Sequence, residues 1–260
     1  MRLDGVCTTW AYFVCANRGK RSVAIDIASA EGIQQVRELV READVLIENY
    51  KVGQLAKYGL DATSLQAINP RLIYCSITGY GQTGPYKDRA GHDMNYLAIA
   101  GVLGNNGRKA SGPGPIAVQV SDVAGGSCHA VIGILAAVLH RGRTGEGQYI
   151  DVSMTDAAFS MHALTAPGAL MGGDAPALEN TQLNGGSFYD CYETRDGRWF
   201  SVAGLEPQFF LQFCQAINRP QLATRGLAMA PEIVAEVKAE IRAAMKEKDF
   251  DEWATVFACV

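Results

Sequence analysis

The fold is decided by residues 22–77, which read SVAIDIASAEGIQQVRELVREADVLIENYKVGQLAKYGLDATSLQAINPRLIYCSI. Short runs rich in β-branched and aliphatic residues at 22–27, 44–47 and 72–77 predict three strands. Between the first two strands, residues 30–42 repeat apolar side chains at the spacing of a helix, and further helical stretches precede the third strand. This β-α-β-α-β order predicts an α/β fold with a parallel, doubly wound sheet.

The loops that follow the predicted strands are the expected place for a ligand, because parallel sheets bind ligands beyond the carboxyl ends of their strands. Glu48-Asn49 follows the second strand, and the glycine-rich loop TGYGQTGP at 78–85 follows the third. This loop matches neither the dinucleotide-binding fingerprint nor the P-loop pattern. Its ordinary interpretation is a tight turn that needs positive φ at glycine.

The chain changes character after residue 165. The pattern predicts further helices at 92–103, 122–139, 207–217 and 231–245, and further strands at 148–152, 188–193 and 198–202. The stretch 166–186 is rich in Gly, Ala, Pro and Asn, which is typical of a linker. We therefore expect a large α/β domain at 1–170, a linker at 171–186 and a smaller α+β domain at 187–260.

Composition and charge narrow the class of protein. The 260 residues carry 23 Lys+Arg against 27 Asp+Glu, so no excess of positive charge favours nucleic acid or an anionic membrane. A membrane span needs about 18 uninterrupted apolar residues, whereas the nearest stretch, 123–139, is interrupted by Gly125, Gly126, Ser127, Cys128 and His129. The seven cysteines include no C-x-x-C pair, and no leader-like segment opens the chain, so we expect a cytoplasmic protein without disulfides.

Three polar features keep two interpretations each when only residue type and spacing are considered. His92 stands at a predicted helix start, either as a structural or surface residue or as a group that titrates near neutral pH. Asp122 precedes an apolar helical run, either as an N-cap or as a carboxylate beside free backbone N–H groups. The basic cluster NRGKR at 17–21 is either solvated charge or a contact for a nucleotide phosphate. Spacing predicts no metal site, because no two of the four histidines lie three to five residues apart.

Six longer segments, taken in order, resemble a known family. They are CANRGKRSVAIDI, DVLIENYKVGQLAKYGL, NPRLIYCSITGYGQTGPY, AGHDMNYLAIAGVLG, VSDVAGGSCHAVIGILAAVLHRGRTGEGQYIDVSM and FYDCYETRDGRWFSVAGLEPQFF. Their order and spacing are similar to the family III CoA-transferase superfamily, the carnitine/bile-acid-inducible group. Within it, AGHD, the aspartate of SDVAGG and GLEPQ resemble the α-methylacyl-CoA racemase branch. That resemblance implies a catalytic histidine at His92, a catalytic aspartate at Asp122 and a supporting glutamate at Glu206.

The resemblance also implies a fold, a substrate and an assembly. The large domain is expected to hold a Rossmann-like parallel sheet, and CoA is expected as part of an acyl-CoA substrate, with no prosthetic group. The expected CoA contacts are Arg18, Lys20, Arg21 and Lys57, together with Gly79 and Gly81 of the glycine-rich loop. Members of the family are interlocked homodimers in which the small domain of one subunit covers the large domain of the other. They also begin with an additional β-α-β segment and continue further at the C-terminus, so we expect both ends to be truncated.

Two reactions and one inactive state follow from the resemblance. A racemase removes the α-proton of a 2-methylacyl-CoA thioester and returns it on the opposite face, which requires two groups that each act as base and conjugate acid. A CoA-transferase uses Asp122 as a nucleophile that passes CoA through an aspartyl thioester, and His92 is then incidental. A catalytically silent CoA-binding fragment is the third alternative, favoured by the truncated ends. The joint presence of His92 and Glu206 favours the racemase.

Overall fold

The computed structural model describes residues 2–3 and 6–258, with side chains from residue 11 onward. The strands of this part of the chain are β1 (Arg2–Leu3), β2 (Val6–Cys7), β3 (Val45–Glu48), β4 (Ile73–Thr78), β5 (Gly107–Arg108), β6 (Gly112–Pro113), β7 (Tyr149–Ser153), β8 (Asp190–Glu193) and β9 (Trp199–Val202). The α-helices are α1 (Thr8–Asn17), α2 (Ala30–Glu42), α3 (Ala62–Gln66), α4 (Asp93–Ile99), α5 (Val102–Asn105), α6 (His129–Thr144), α7 (Met154–Ser160), α8 (Ala166–Leu170), α9 (Pro207–Ala216), α10 (Pro231–Met245) and α11 (Phe250–Phe257). Two 3₁₀ helices, Leu55–Tyr58 and Pro220–Thr224, and a π-helical segment, Val120–Cys128, are also present.

A parallel sheet of three strands, in the order β3-β4-β7, forms the centre of the first part of the chain. In the sheet, Leu46 lies opposite Tyr74, which in turn lies opposite Tyr149. The carboxyl ends of all three strands therefore lie at one edge. This confirms the predicted α/β class and the parallel sheet.

The strand predicted at 22–27 is wrong, because these residues form neither a helix nor a strand. Val23, inside the run, is 70% exposed. A strand exists only where its backbone groups pair with a neighbour, and none of the described strands pairs with this segment. Apolar and β-branched residues favour a buried strand, but a strand forms only if a neighbouring strand is available to pair with it.

Helix α2 begins and ends where the spacing predicted. Ser29 is its N-cap, and the Ser29 hydroxyl accepts a hydrogen bond from the Gly32 N–H at 3.0 Å. The apolar face of the helix packs on a cluster of buried side chains, formed by Val40, Leu60, Leu65, Leu72 and Tyr74. This packing holds α2 against β4 and so helps to fix the loops at the carboxyl ends of the sheet.

Two predicted helices differ from the structure in detail. The helix predicted at 92–103 divides into α4 and α5 at Gly101, whose φ of +84° places it in the left-handed region. The helical stretch expected before Gly59 is a single 3₁₀ turn. Asp61 then caps α3, because its carboxylate accepts a hydrogen bond from the Ser64 N–H at 3.1 Å.

The described chain after residue 187 has a core cluster of its own. The strands predicted at 188–193 and 198–202 are present as the antiparallel pair β8 and β9, and Gly197 adopts a φ of +81° in the turn between them. Helices α9, α10 and α11 bury Phe210, Ile241 and Trp253 in one cluster that shares no member with the clusters around the parallel sheet. The domain limits at 170 and 187 stay a prediction.

The π-helical segment runs directly into α6, and together they form a helix of 25 residues, Val120–Thr144. By length and apolar composition alone this helix could cross a membrane, and 22% of its most apolar window is buried in the structure. Core helices of soluble proteins have a similar length and composition. The length and composition of this helix are therefore weak evidence for a membrane span, and the expectation that the protein does not bind a membrane stays a prediction.

Candidate active site

A cavity of about 490 Å³ lies at the carboxyl end of the parallel sheet. It is lined by Ile47, Glu48, Asn49, Ile77, Gly91, His92, Tyr96, Asp122, Ser127 and Met154. Ile47 and Glu48 belong to the end of β3, Ile77 to the end of β4, and Met154 follows β7 directly. This is the edge at which the strand order predicted a ligand, and the structure brings His92 and Asp122 together there.

A second cavity, of about 430 Å³, adjoins the first. The two share Asn49, Ile77, Gly91, His92, Tyr96 and Met154 among their lining residues. The second cavity extends over the first residues of the glycine-rich loop, Thr78, Gly79 and Tyr80, and past the segment 87–90. The two cavities therefore form one cleft, which we call the strand-end cleft, with His92 at the junction.

His92 occupies the N-cap position of α4 and is exposed to the cleft. Its backbone N–H donates a hydrogen bond to Asn95 Oδ1 at 3.0 Å, so the first turn of the helix holds the residue in place. The carbonyl of the preceding residue, Gly91, accepts a hydrogen bond from the Tyr96 hydroxyl. The backbone on both sides of the imidazole is therefore restrained, while the ring faces the cleft.

Asp122 is half-buried in the first turn of the π-helical segment. The expectation that it is an N-cap is wrong, because the helix already begins at Val120. Its backbone N–H is also not free, since it donates to Asp93 Oδ1 at 2.9 Å. Burial raises the pKa of the Asp122 carboxyl above its usual range, the negative charge of Asp93 raises it further, and His92 opposes the rise.

Two side chains contact backbone carbonyls of the π-helical segment around Asp122. The Ser127 hydroxyl donates to the Asp122 carbonyl at 3.3 Å, and His129 Nδ1 lies 2.7 Å from the Ala124 carbonyl, so side chains five residues on meet these carbonyls. Gly125 and Gly126 let the helix approach α7, because Cβ atoms there would lie 3.0 and 3.1 Å from atoms of Met154. Such π segments occur frequently at functional sites.

The glycine-rich loop is a tight turn anchored on the end of the sheet. The Gly79 carbonyl accepts hydrogen bonds from the Thr155 N–H at 3.0 Å and from the Thr155 hydroxyl at 2.7 Å. Gly81 adopts a φ of +79°, and the Gln82 N–H donates to Asp151 Oδ2 at 2.9 Å. The loop is therefore the tight turn that the glycine pattern predicted. Gly79 also lines the cleft.

The predicted CoA-binding cations lie apart from the cleft lining. Arg18, Lys20 and Arg21 are exposed in the segment between α1 and α2 and line neither cavity. Lys57 is exposed, and its Nζ lies 3.4 Å from Gln54 Oε1. Their role in binding CoA stays a prediction.

Other cations do line the cleft and were missed by the sequence argument. They are Lys51, Lys87 and Arg89. The available signal was their position in the chain, directly after β3 and between the glycine-rich loop and His92.

Glu206 is not placed beside His92 within the described chain. It is the exposed N-cap of α9 and lines neither cavity of the cleft. Two other residues do contact the surroundings of the candidate catalytic pair. Asp93 accepts a hydrogen bond from the Asp122 N–H, and the Tyr96 hydroxyl donates to the carbonyl of Gly91, the residue before His92. Sequence could have suggested Tyr96, which lies one helical turn after His92, but the bond between Asp93 and Asp122 joins residues that are distant in sequence.

Among the described residues, no group of three or more His, Cys, Asp or Glu side chains could hold a metal ion.

Comparisons with known proteins agree with the resemblance seen in the sequence. The chain is 42% identical over 206 residues to a succinate–glutarate CoA-transferase of Agrobacterium fabrum, a match that covers 79% of this chain and 51% of that protein. It is 35% identical over 257 residues to the alpha-methylacyl-CoA racemase of Homo sapiens, covering 94% of this chain and 65% of that protein. The chain therefore spans between half and two thirds of the length of these relatives.

Solved structures similar to this chain include a protein of the same family. A CAIB/BAIF family protein from Brucella suis has a TM-score of 0.78 and 35% identity, and the match covers 99% of this chain and 68% of that one. A hypothetical protein from Mycobacterium tuberculosis has a TM-score of 0.76 and 31% identity, covering 93% and 66%. The sequence model described as CoA-transferase family III matches residues 6–259. Because that match runs through nearly the whole chain, the protein belongs to CoA-transferase family III.

Proposed function

We propose that this chain carries the active site of an α-methylacyl-CoA racemase, an isomerase that inverts the α-carbon of 2-methylacyl-CoA thioesters. The observation that supports the proposal is that His92 and Asp122, which are distant in sequence, line one cavity of about 490 Å³. Two different titratable groups at one cavity are what proton transfer to both faces of a carbon requires. A relative named alpha-methylacyl-CoA racemase, 35% identical over 257 residues, agrees with this choice.

In the proposed reaction one of the two groups removes the α-proton of the acyl thioester. The Cα–H bond breaks, and its electron pair moves into the thioester, which becomes an enolate. The other group, in its protonated form, then returns a proton to Cα from the opposite face, and the enolate electron pair forms the new bond. Inversion in both directions requires that His92 and Asp122 each serve as base for one stereoisomer and as acid for the other.

The electrostatics of Asp122 suit this double role. An unperturbed aspartic acid is too acidic to return a proton efficiently near neutral pH, and a catalytic pKa closer to the working pH is more effective. Burial and Asp93 raise the pKa of Asp122 in that direction. Asp122 also lies in the first turn of a helix, where positive helix-dipole potential can stabilise the charge of an enolate oxygen bound beside it.

Binding of the CoA part and the supporting role of Glu206 complete the proposal. The cations Lys51, Lys87 and Arg89 line the cleft and can pair with phosphate groups. We place Glu206 near His92 across the interface of an interlocked homodimer, because within one chain it lines neither cavity of the cleft. No prosthetic group takes part in this scheme.

The test uses one stereoisomer of a 2-methylacyl-CoA in D2O. A racemase incorporates one deuteron at the α-carbon while optical activity is lost, and both are followed by mass spectrometry and chiral analysis. His92→Ala should reduce inversion by about 10²-fold or more, with residual one-sided exchange through Asp122. His140→Ala is the matched control, since that histidine lies on α6 and lines neither cavity. Absence of exchange in the unmodified protein refutes the proposal.

A CoA-transferase is the second candidate, favoured by a specific observation. The relative that is 42% identical over 206 residues is named a succinate–glutarate CoA-transferase. In that reaction Asp122 is the nucleophile, and hydroxylamine added during turnover converts an accumulated aspartyl thioester to a hydroxamate. Trapped Asp122 together with full transferase activity in His92→Ala would replace the racemase assignment by this one.

A further inference from the structure

Tyr96 is a buried polar side chain behind the candidate catalytic histidine. It lies one turn into α4, its N–H donates to the His92 carbonyl at 3.2 Å, and 6% of the residue is exposed. Its hydroxyl donates to the carbonyl of Gly91, the residue before His92. Burial, together with the charge of Asp122, raises the pKa of the phenol, which therefore stays protonated and remains a donor.

The ring of Tyr96 also separates two loops of the cleft. A Cβ added to Gly79 would lie 2.3 Å from the ring, and one added to Gly91 would lie 2.7 Å from it. The Tyr80 ring meets it edge-on, with centroids 5.2 Å apart at 85°. The same side chain therefore contacts the glycine-rich loop on one side and the backbone that carries His92 on the other.

Besides the bond from Tyr96, the contacts described for the segment from 87 to 91 include the Arg89 guanidinium, which lies 4.2 Å from the centre of the Tyr86 ring. The one other hydrogen bond described for it runs from the Arg89 N–H to the Tyr86 carbonyl, at 2.9 Å. If the hydroxyl of Tyr96 is removed, the Gly91 carbonyl loses a partner and the segment can move relative to α4. A misplacement of about 1 Å at a catalytic group can cost about 10²-fold in rate.

We propose that Tyr96 is a positioning residue, which fixes His92 at the cleft through the Gly91 carbonyl and seats the glycine-rich loop against the same ring. The inference rests on the proposed racemase function for its kinetic consequence. Independently of that function, the environment of the His92 imidazole in the substrate-free protein should depend on the Tyr96 hydroxyl.

The test compares two Tyr→Phe variants of the full chain. Tyr96→Phe removes the hydroxyl and keeps the ring. Tyr192→Phe is the matched control, because Tyr192 is 1% exposed and its hydroxyl donates to the Phe188 carbonyl at 2.7 Å in a core cluster that does not include Tyr96. We expect both variants to lose similar thermal stability. Only Tyr96→Phe should lower kcat for α-proton exchange, by roughly tenfold, with KM within about twofold, since positioning acts on the chemical step.

A readout without substrate keeps this inference separate from the proposed function. The Cε1–H resonance of His92, assigned with His92→Ala and titrated by NMR, should shift or broaden in Tyr96→Phe and stay unchanged in Tyr192→Phe. If the unmodified protein shows no exchange, the racemase proposal fails, and the NMR comparison alone decides the role of Tyr96. An unchanged His92 titration in Tyr96→Phe, or an equal loss of kcat in both variants, would overturn the positioning role.

Discussion

Replacing Asp190 with Asn tests an ion cluster that joins three parts of the chain. Asp190 on β8 lies 2.7 Å from Lys238 Nζ on α10, and these side chains are 5% and 7% exposed. Arg108 on β5 also donates to the Asp190 carboxylate, at 3.0 Å from Nη1. Asn keeps the shape of the side chain but leaves a buried ammonium group opposite a neutral amide.

The size of the effect follows from what each cation retains. Removing one partner of a buried ion pair costs about 3–5 kcal/mol. Lys238 still donates to the Gly185 carbonyl at 2.6 Å, and Arg108 still lies 3.3 Å from Glu179 and is 44% exposed to water. We therefore expect the lower end of the range, about 3 kcal/mol of unfolding free energy, or a decrease in Tm of roughly 6–10 °C for a chain of this size.

The stability difference between the parent and Asp190→Asn should also depend on pH, in a direction set by the pKa of Asp190. Burial raises the pKa of Asp190, but hydrogen bonds from Arg108, Lys238 and the Cys191 N–H outweigh it and hold the pKa below its usual range. A carboxyl with a lowered folded-state pKa contributes stability above its unfolded-state value, about 3.9, and loses it as pH falls through the folded-state pKa. The difference between the parent and Asp190→Asn should therefore be constant from pH 7 to about pH 5 and shrink below about pH 4.

Urea unfolding at several pH values measures this difference. The matched control is Glu38→Gln, which removes the surface pair with Arg41, whose side chains are 57% and 55% exposed. We expect a loss within about 0.5 kcal/mol there, because exposed pairs contribute little. A loss below about 1 kcal/mol for Asp190→Asn at pH 7, or a difference that stays constant down to pH 3, would refute the reasoning.

Three further outcomes can be measured. Asp93→Asn removes a charge that raises the pKa of Asp122, so the acidic limb of the exchange rate should move to lower pH, and an unmoved limb contradicts the coupling. Gly79→Ala places a Cβ 2.3 Å from the neighbouring tyrosine ring and should reduce exchange at least tenfold, whereas Gly104→Ala, with no atom within 4 Å, should not. Ser29→Ala should cost about 1 kcal/mol in urea unfolding through loss of the α2 cap, and an unchanged midpoint would count against that cap.

Local rules predicted much of the fold because the relevant interactions are local. The limits of α2 follow from helical spacing and from the Ser29 cap, whose hydrogen bond spans three residues. The same rules fail at 22–27, because pairing with a neighbouring strand is not encoded within the segment itself. They also fail at Val120–Cys128, where nine residues are too few to separate α-helical from π-helical spacing.

The candidate site was predictable to the extent that topology alone decides it. Parallel strands end at one edge, so the loops after β3 and β4 and the residues they carry must meet there, and His92 and Asp122 do line one cavity. Their tuning depends on contacts that no spacing rule contains. Asp93 reaches the Asp122 N–H across 29 residues, and Tyr96 bonds backward to Gly91 while its ring contacts the glycine-rich loop. Residue types thus indicate which groups can ionise, whereas the tertiary contacts decide how far the pKa of Asp122 is raised and how the backbone around His92 is held.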